Sequence, residues 1–231
     1  AQIINIEKKK GKINEQGLNG NFSLSATILQ NENEFIQVFN SIDFIFKKNK
    51  HSVFLYNNFG FGTIDKAEYI KEGYQHLRYN YLLIDSFLTV EAFVQQSYNT
   101  IKKIEKRYLA GFGPRFRMIQ TNQVLVYFGP LFLYEIEKEV DAEIWTRIIR
   151  SSTYLSFNFS NKYFTFNQIT YFQSDVGNVE DYRINNESSI TFKLSQLLSF
   201  ESSISIMYDN QPPENIRYLY YFLQSGIKFS F

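Results

Sequence analysis

The stretch RINNESSITFKLS, residues 183–195, alternates polar and apolar side chains over the length of a long β-strand. Successive side chains of a strand point to opposite faces, so Glu187 and Lys193 fall on one face and Ile190 and Phe192 on the other. One face is therefore charged and the other apolar. The charged face is too polar for the packed core of a soluble protein, which favours a strand that separates water from lipid.

The same period of two recurs along the chain and predicts twelve strands, separated by turn-forming residues. They are Leu18–Leu29, Glu34–Phe46, Ser52–Gly62, Gly73–Leu83, Phe87–Tyr98, Tyr108–Ile119, Gln123–Ile136, Trp145–Phe159, Tyr163–Gln173, Tyr182–Ser195, Leu198–Tyr208 and Ile216–Phe231. Most reach the roughly 9–11 residues that cross a bilayer at a tilt, whereas strands of soluble proteins usually have about 5–6. The lengths favour a transmembrane barrel. The third and ninth strands are apolar in both phases near their ends, so their faces stay unassigned.

The connections between these strands alternate in length, which is typical of an outer-membrane barrel with both termini in the periplasm. The even-numbered connections are short: KKNKH, IDS, QTN, SNK and QL. Most odd-numbered ones are longer and more polar: TIDKAEYIKE, NTIKKIEKR, EKEVDAEI, SDVGNVED and DNQPPEN, with QNEN as the short exception. We therefore predict an all-β, antiparallel, up-and-down transmembrane β-barrel of about twelve strands.

Two neighbouring predicted strands contain a Gly-Pro pair, in FGPRF and FGPLF, with the prolines at Pro114 and Pro130. Proline cannot donate a hydrogen bond to a sheet and is usually found at bulges or strand ends. Because a tight turn joins these strands, the pairs lie at comparable heights. They predict a local bulge or kink in the barrel wall.

The composition excludes several functional classes. The chain has no cysteine, a net charge of +1 and 18% aromatic residues. Disulfides and thiolate sites are impossible, and a nucleic-acid partner is not expected because basic and acidic residues are balanced. We expect residues 1–17 to form a periplasmic amino-terminal segment and residues 18–231 a single barrel. Ala1 fits a mature chain whose signal peptide has been removed.

The carboxyl end LQSGIKFSF resembles the assembly signal in the last strand of bacterial outer-membrane barrels. That signal has a polar residue, a glycine two positions later and two hydrophobic residues, places held here by Gln224, Gly226, Phe229 and Phe231. The resemblance implies insertion by the barrel assembly machinery.

The whole chain also resembles the outer-membrane β-barrel family of unknown function whose members are often labelled salt-induced outer membrane proteins. The resemblance runs through INIEKKKGK, GYQHLRYNY, RYLAGFGPRFR, YFGPLFLYEIEKE and DYRINNESSITFKLSQLLSFE. It implies a precursor with a signal peptide, a multi-pass barrel in a Gram-negative outer membrane, and contact with membrane lipid and lipopolysaccharide. The family has no agreed activity, so the resemblance supplies no catalytic residues.

The two histidines are the only candidates for a histidine base. His51 lies in the predicted turn KKNKH, where solvent exposure is the simpler reading. His76 shares a face with Arg78 and Asn80, and we expect it to point into the lumen near the outer rim. No G-x-S-x-G motif accompanies it. The sequence therefore predicts no enzyme, no metal site and no cofactor, and a hydrolase that uses His76 ranks below the other readings.

The predicted inward face carries charges of both signs. They are Asp43, Glu91, Arg115, Arg117, Glu135, Arg183, Glu187, Lys193 and Glu201. Such charges pair where water is scarce, so they form either a network that fills the lumen or a selectivity constriction. The sequence predicts a narrow channel or a structural envelope component. The alternative is a barrel subunit or docking platform of a larger outer-membrane complex.

Overall fold

A computed structural model of the chain describes residues 16–30, 34–65, 67–85, 87–195, 198–212 and 216–229. Within these ranges the regular structure consists of twelve strands. They are β1 (Gly17–Gln30), β2 (Glu34–Lys48), β3 (His51–Ile64), β4 (Ala67–Ile84), β5 (Leu88–Asn99), β6 (Ile104–Gln120), β7 (Val124–Glu139), β8 (Thr146–Ser160), β9 (Phe164–Asp175), β10 (Tyr182–Lys193), β11 (Leu198–Asp209) and β12 (Leu219–Phe229). No helix in the described ranges is long and apolar enough to span a membrane.

The strands lie in one sheet in sequence order, and each pairs antiparallel with the next. The sheet curls, because strands far apart in this order contact each other: Tyr154 on β8 bonds to Glu91 on β5, and Lys102, before β6, lies over the ring of Tyr220 on β12. The ladders in the described ranges run from β1 to β12, and none of them joins β12 to β1. The predicted all-β, antiparallel, up-and-down arrangement of about twelve strands is confirmed, and the curl is compatible with a barrel.

The barrel has two different ends. One end, which we call the turn end, holds the even-numbered connections, the first residue of β1 and the last residue of β12. The connecting segments there are 49–50, 85–87, 121–123, 161–163 and 194–197. The opposite loop end carries the segments 100–103, 140–145, 176–181 and 210–218, of which the last three are longer than any turn-end segment. The predicted long connection TIDKAEYIKE is wrong, because β4 begins at Ala67 and leaves only residues 65–66 between β3 and β4.

Side chains alternate between a buried inner face and an exposed outer face. On β7, Leu131, Leu133 and Glu135 are buried, whereas Phe132 and Tyr134 between them are exposed. Large apolar side chains that are exposed in this regular phase are those expected to face lipid. The structure also assigns β3 and β9, whose inner faces carry buried aromatic and aliphatic residues: Phe54, Tyr56, Ile169 and Tyr171.

The two prolines face each other without a bulge, so that part of the sequence prediction is wrong. The pairs Phe112 with Phe132 and Phe116 with Phe128 keep one register across the site. Pro114 therefore lies opposite Pro130, in a stretch where residues 113–115 form no ladder pairs with β7, and the register shifts lie between Ile104 and Lys106 and between Arg117 and Ile119. A Cβ added to Gly113 would lie 2.2 Å from the Pro130 carbonyl oxygen. Glycine is required there because the two backbones approach too closely for a side chain.

Candidate functional site

The first polar cluster of the inner face surrounds Glu91 on β5, which is fully buried. Its carboxylate lies 3.6 Å from Arg78 Nη1 and 3.4 Å from Arg115 Nη1. It also accepts hydrogen bonds from Tyr154 Oη at 2.8 Å and Asn80 Nδ2 at 3.1 Å. Four donors from three strands thus compensate one carboxylate, as a charge removed from water requires. We call these residues the Glu91 cluster.

Aromatic rings hold the two arginines of the Glu91 cluster in place. The Arg115 guanidinium lies 3.6 Å from the centroid of the Tyr127 ring, and that of Arg78 lies 5.0 Å from Phe93. A guanidinium over a ring face gains from the ring quadrupole, more so when desolvated. The rings therefore fix the planes of both cations toward Glu91.

The second polar cluster surrounds Glu135 on β7 and is the larger of the two. Arg150 Nε donates to Glu135 at 3.2 Å and Arg183 Nη1 at 3.1 Å, while Arg107 Nε lies 3.5 Å away. Each arginine has a further acidic partner. Arg150 makes a two-pronged contact with Asp181 at 3.1 and 3.0 Å, Arg183 Nε lies 2.6 Å from Asp209, and Arg107 pairs with Glu137. This Glu135 cluster is a charge network of alternating sign.

The two clusters lie at different heights. Glu91 is near the start of β5, just after the turn-end segment 85–87, whereas Glu135 is near the end of β7, before the loop-end segment 140–145. An apolar layer lies between them, formed by Phe93, Leu109, Leu131, Leu133, Tyr154, Ile169 and Tyr171. From β3 to β9 the inner face is therefore packed with side chains along most of its height.

His76 is buried in the middle of β4 rather than near the outer rim, because that strand begins at Ala67. Its Nδ1 lies 3.0 Å from Gln95 Oε1, and its ring contacts Phe93 at a centroid distance of 5.1 Å. His51 lies at the exposed turn end, 2.6 Å from the Tyr79 hydroxyl. Over the described ranges, no three His, Asp or Glu side chains are grouped so that they could hold a metal ion.

The nine predicted inward charges occupy different surroundings. Glu91 and Arg115 belong to the first cluster, and Glu135 and Arg183 to the second. Asp43 is buried on β2, opposite Tyr56. The other four lie on the same face with more exposure: Arg117 bonds to Gln120, Lys193 Nζ donates to the Asn161 carbonyl at 3.2 Å, and Glu187 and Glu201 are half-buried opposite Ile169 and Thr191.

Sequence reasoning missed several members of these clusters. The sequence pattern places Arg107 in a connection, whereas β6 begins earlier, at Ile104. Ile148 and Ile149 are consecutive apolar residues, so the alternation does not show which face Arg150 lies on. Asp181 and Asp209 lie at or beyond strand ends, where alternation carries no signal. Of the assembly signal, Gly226 pairs with Glu201, and Gln224 and Phe229 pair through their backbones with Ser203 and Leu198. Phe231 lies outside the described residues.

The inner face of β1, β2, β11 and β12 differs from the packed wall. The small hydroxyl and amide residues on this face, most of them on β1 and β11, are exposed or half-buried: Asn21, Ser23, Ser25, Ser41, Ser203 and Ser205. Larger side chains, Phe39 on β2 and Tyr220 and Phe222 on β12, share the face with them. A cavity of about 70 Å³ lies against this wall. Its lining consists of Glu187, Ser189, Ser203, Ser205 and Phe222 of the inner face, together with Ser188 and Ile204 of the outer face. We call the inner face of these four strands the hydroxyl-lined wall.

A second cavity of about 70 Å³ lies at the loop end, between the segment 100–103 and the ends of β10 to β12. Four cations, Lys102, Arg107, Arg183 and Arg217, line it together with one carboxylate, Asp209. Ile101, Ile104, Met207, Pro212, Ile216, Tyr218 and Tyr220 complete the lining. Burial, and then the charge of Arg107, lowers the pKa of Lys102 to about 8.

Residues 8–218 match the model of the family described as protein of unknown function, DUF481. The chain belongs to that family. No curated protein is significantly similar to it in sequence.

Three solved structures resemble the DUF481 chain. The NanC porin has a TM-score of 0.51 at 11% identity, with 93% of this chain and 99% of that chain covered. The translocator domain of the autotransporter NalP from Neisseria meningitidis has a TM-score of 0.48 at 9% identity, with 97% and 92% covered. The KdgM porin has a TM-score of 0.44 at 8% identity, with 92% and 99% covered. At this identity, the NanC likeness supports the fold alone, an outer-membrane β-barrel of the porin type.

Proposed function

We propose that this DUF481 protein is a narrow channel for small solutes in the outer membrane of a Gram-negative cell. The passage runs along the hydroxyl-lined wall, off the barrel axis. The observation that carries the proposal is the difference between the two walls. The inner face from β3 to β9 is filled by the Glu91 cluster, the apolar layer and the Glu135 cluster, whereas small exposed or half-buried residues such as Ser23 and Ser203 line the other wall.

The packed wall explains why the passage is narrow. A barrel of about twelve strands has a smaller bore than the 16–18 strands of wide aqueous porins. Here long side chains such as Arg78 and Arg150, both fully buried, take up part of that bore. The paired side chains therefore occupy part of the lumen, and only small solutes pass beside them.

The loop-end cavity supports a preference for small anions at the entrance. Its lining holds four cations and one carboxylate. Arg107 and Arg183 also contact Glu135 and Glu137 outside the lining, whereas the lining itself holds more cations than carboxylates. A cleft with low-dielectric walls and one sign of charge raises the local concentration of the opposite ion. Under this proposal the loop end faces the outside and the termini face the periplasm.

A hydrolase built on His76 gains less support. A catalytic base needs a nucleophile within hydrogen-bond reach. The His76 ring instead packs against Phe93 and Tyr56, and its Nδ1 faces the Gln95 amide. Replacement His76→Ala with an assay of lipid hydrolysis tests this reading, and loss of a measurable activity in the variant would revive it.

Recording from the purified protein in a planar lipid bilayer tests the channel. We expect discrete, small conductance steps. Ser205→Trp, on the hydroxyl-lined wall, should reduce the step size because the indole fills the passage. Ile206→Trp places the same side chain on the opposite face of β11, outside the lining of the cavity, and should leave the step size unchanged. A silent wild-type protein, or equal effects of both variants, contradicts the proposal.

Ion selectivity tests the entrance separately. The reversal potential in a KCl gradient should show a preference for chloride in the wild type. The pair Lys102→Gln and Arg217→Gln should reduce that preference, whereas Arg147→Gln, an exposed loop-end arginine outside the cavity lining, should not. Cation preference in the wild type would contradict the assignment.

A further inference from the structure

The membrane-facing surface of β9 to β12 carries hydroxyl and amide side chains where lipid contact demands apolar ones. Thr170 pairs with Asn186, and Ser188 pairs with Ile204, all on the outer face. Their neighbours Ile169 and Ser189 are buried on the inner face. The full set lies near the middle of four consecutive strands, and we call it the outward polar patch: Gln168, Thr170, Asn186, Ser188, Ser202 and Ser225.

Members of the outward polar patch bond to one another. Asn186 Nδ2 donates to Thr170 Oγ1 at 2.8 Å, and Ser188 Oγ donates to Asn186 Oδ1 at 3.0 Å. Gln168 Nε2 donates to Thr170 Oγ1 at 3.3 Å. On the next two strands, the hydroxyls of Ser202 and Ser225 lie 2.9 Å apart. These bonds order the side chains and use only part of their capacity, because each amide has two donors and an oxygen with two lone pairs.

The neighbouring lipid-facing positions are different. Phe132 on β7, Leu155 on β8 and Phe172 on β9 are exposed apolar residues on the same outer face. In hydrocarbon there is no water to complete a polar group's hydrogen bonds, so such groups are costly there and are concentrated where they meet protein. The outward polar patch would therefore be more stable against another polypeptide, which can complete its hydrogen bonds, than against lipid chains, which cannot.

We propose that the outward polar patch is the contact between two copies of this chain in the membrane. The patch carries no charge, so two identical patches meet without repulsion. Every member both donates and accepts hydrogen bonds, so a patch turned through a two-fold axis complements itself. Closed two-fold pairs are also the commonest arrangement of identical chains. Strands lie about 4.8 Å apart, so the four strands offer a surface roughly 15 Å wide.

Apolar residues border the outward polar patch and extend the contact. Ile206, Tyr221 and Leu223 share the outer face of β11 and β12 with Ser202 and Ser225. In membranes, such contacts gain from close packing as well as from hydrogen bonds between polar side chains. The proposed dimer does not depend on whether the barrel conducts solutes. It gives the alternative function, a docking platform in the outer membrane, a defined surface and a defined partner.

A smaller polar group on the opposite wall defines the competing arrangement. Asn57, Gln75 and Gln96 share the outer face of β3 to β5, and Gln96 Nε2 donates to Gln75 Oε1 at 2.8 Å. If the outward polar patch met this trio in a neighbouring copy, the chains would form an open row rather than a closed pair. The two-fold contact joins the outward polar patches of both copies, and these patches are larger than the trio. We therefore assign the two-fold contact and not the open row.

The absence of cysteine from the chain makes disulfide trapping a direct test. Full-length Ser188→Cys and Ser202→Cys are folded into lipid vesicles at low protein-to-lipid ratio and exposed to a mild oxidant. We expect both to form covalent dimers. Phe132→Cys lies on the outer face near mid-strand of β7, away from the patch, and serves as the matched control. We expect it to stay monomeric.

The wild-type mass in nanodiscs provides the non-covalent readout. It should be that of a dimer, and the double variant Asn186→Leu with Thr170→Val, neither of which lines the cavity, should be a monomer of unchanged fold and unchanged channel conductance. Trapping no greater than that of Phe132→Cys, together with a monomeric wild type, would overturn the proposal. Covalent dimers that form only when Ser188→Cys is mixed with Gln96→Cys would also overturn it, in favour of the open row.

Discussion

The Tyr154 hydroxyl on β8 donates a hydrogen bond of 2.8 Å to the Glu91 carboxylate on β5. Two strands, β6 and β7, separate them in the sheet, so this bond crosses the inner face instead of following the wall. The Tyr154 ring reaches across beside Gly129, where an added Cβ would lie 2.3 Å from the ring. The packed wall therefore depends on one carboxylate and on glycines that give the rings room.

Glu91→Gln tests the charge balance of the first cluster. The amide keeps the shape but leaves Arg78 and Arg115 without their carboxylate in a buried site. Removing one partner of a buried ion pair costs about 3–5 kcal/mol. We expect that loss in the free energy of unfolding by urea, followed by fluorescence of the single tryptophan, Trp145. Tyr154→Phe removes one neutral donor and should cost about 1 kcal/mol. Equal losses of unfolding free energy for the two variants would show that the ion pairs of Glu91 contribute no more than one neutral hydrogen bond.

Gly113→Ala tests the close approach of β6 and β7. The new methyl group would lie 2.2 Å from the Pro130 carbonyl oxygen, so the strands must move apart. Overpacking of this kind costs roughly 1–3 kcal/mol. Gly226→Ala is the control, because nothing lies within 4 Å of its added Cβ. Both are measured by unfolding of protein refolded in vitro, and a tolerated Gly113→Ala would mean that the strands adjust without strain.

Phe132→Arg tests the assignment of faces. This side chain is 67% exposed on the outer face near the middle of β7. An arginine that faces lipid at mid-membrane costs about 2–4 kcal/mol, whereas a change on the inner face costs little. Thr191→Val on the inner face of β10 is the comparison. Unfolding free energies in lipid vesicles should differ by that amount, and a larger loss for Thr191→Val would reverse the faces.

The pH dependence of selectivity tests the role of Lys102, which lies in the loop-end segment 100–103. Burial and the charge of Arg107 lower the pKa of this amine to about 8, while Glu72 and Glu187 oppose the shift. The folded amine therefore loses its charge as the pH rises through about 8, below the ordinary pKa of lysine. Chloride preference should fall between pH 7 and 9.5. In Lys102→Gln, the chloride preference should stay at the low, high-pH level of the wild type at every pH. If the chloride preference of that variant still fell with pH as in the wild type, the titrating group would be another residue.

Much of the barrel could be predicted from the sequence, because alternation is a local signal that the lipid boundary enforces on every strand. Each of the twelve strands was expected near its observed position. The start of β4 was not, since the segment 67–72 carries charged residues that resemble a loop and yet pairs with β3 and β5. This charged segment begins β4 at the loop end of the barrel.

Contacts across the inner face could not be predicted in the same way. Inward charges such as Glu91 and Glu135 follow from alternation, whereas their partners depend on barrel curvature and strand stagger. Arg150 and Asp181 come together over 31 residues of chain, through β8, β9 and the segment 176–181. The polar residues Asn186 and Ser188 lie on the apolar face of the stretch 183–195, and only their neighbours on β9 show that they form part of a patch.

The most direct test of the off-axis passage is modification of single cysteines during bilayer recording. Ser203 on β11 is half-buried on the hydroxyl-lined wall, and Ser156 on β8 is 1% exposed on the packed wall, both on the inner face. A charged thiol reagent should reduce the current through Ser203→Cys in discrete steps and leave Ser156→Cys unchanged. An unchanged current through open Ser203→Cys channels, or a reduction in Ser156→Cys, would contradict a passage along that wall.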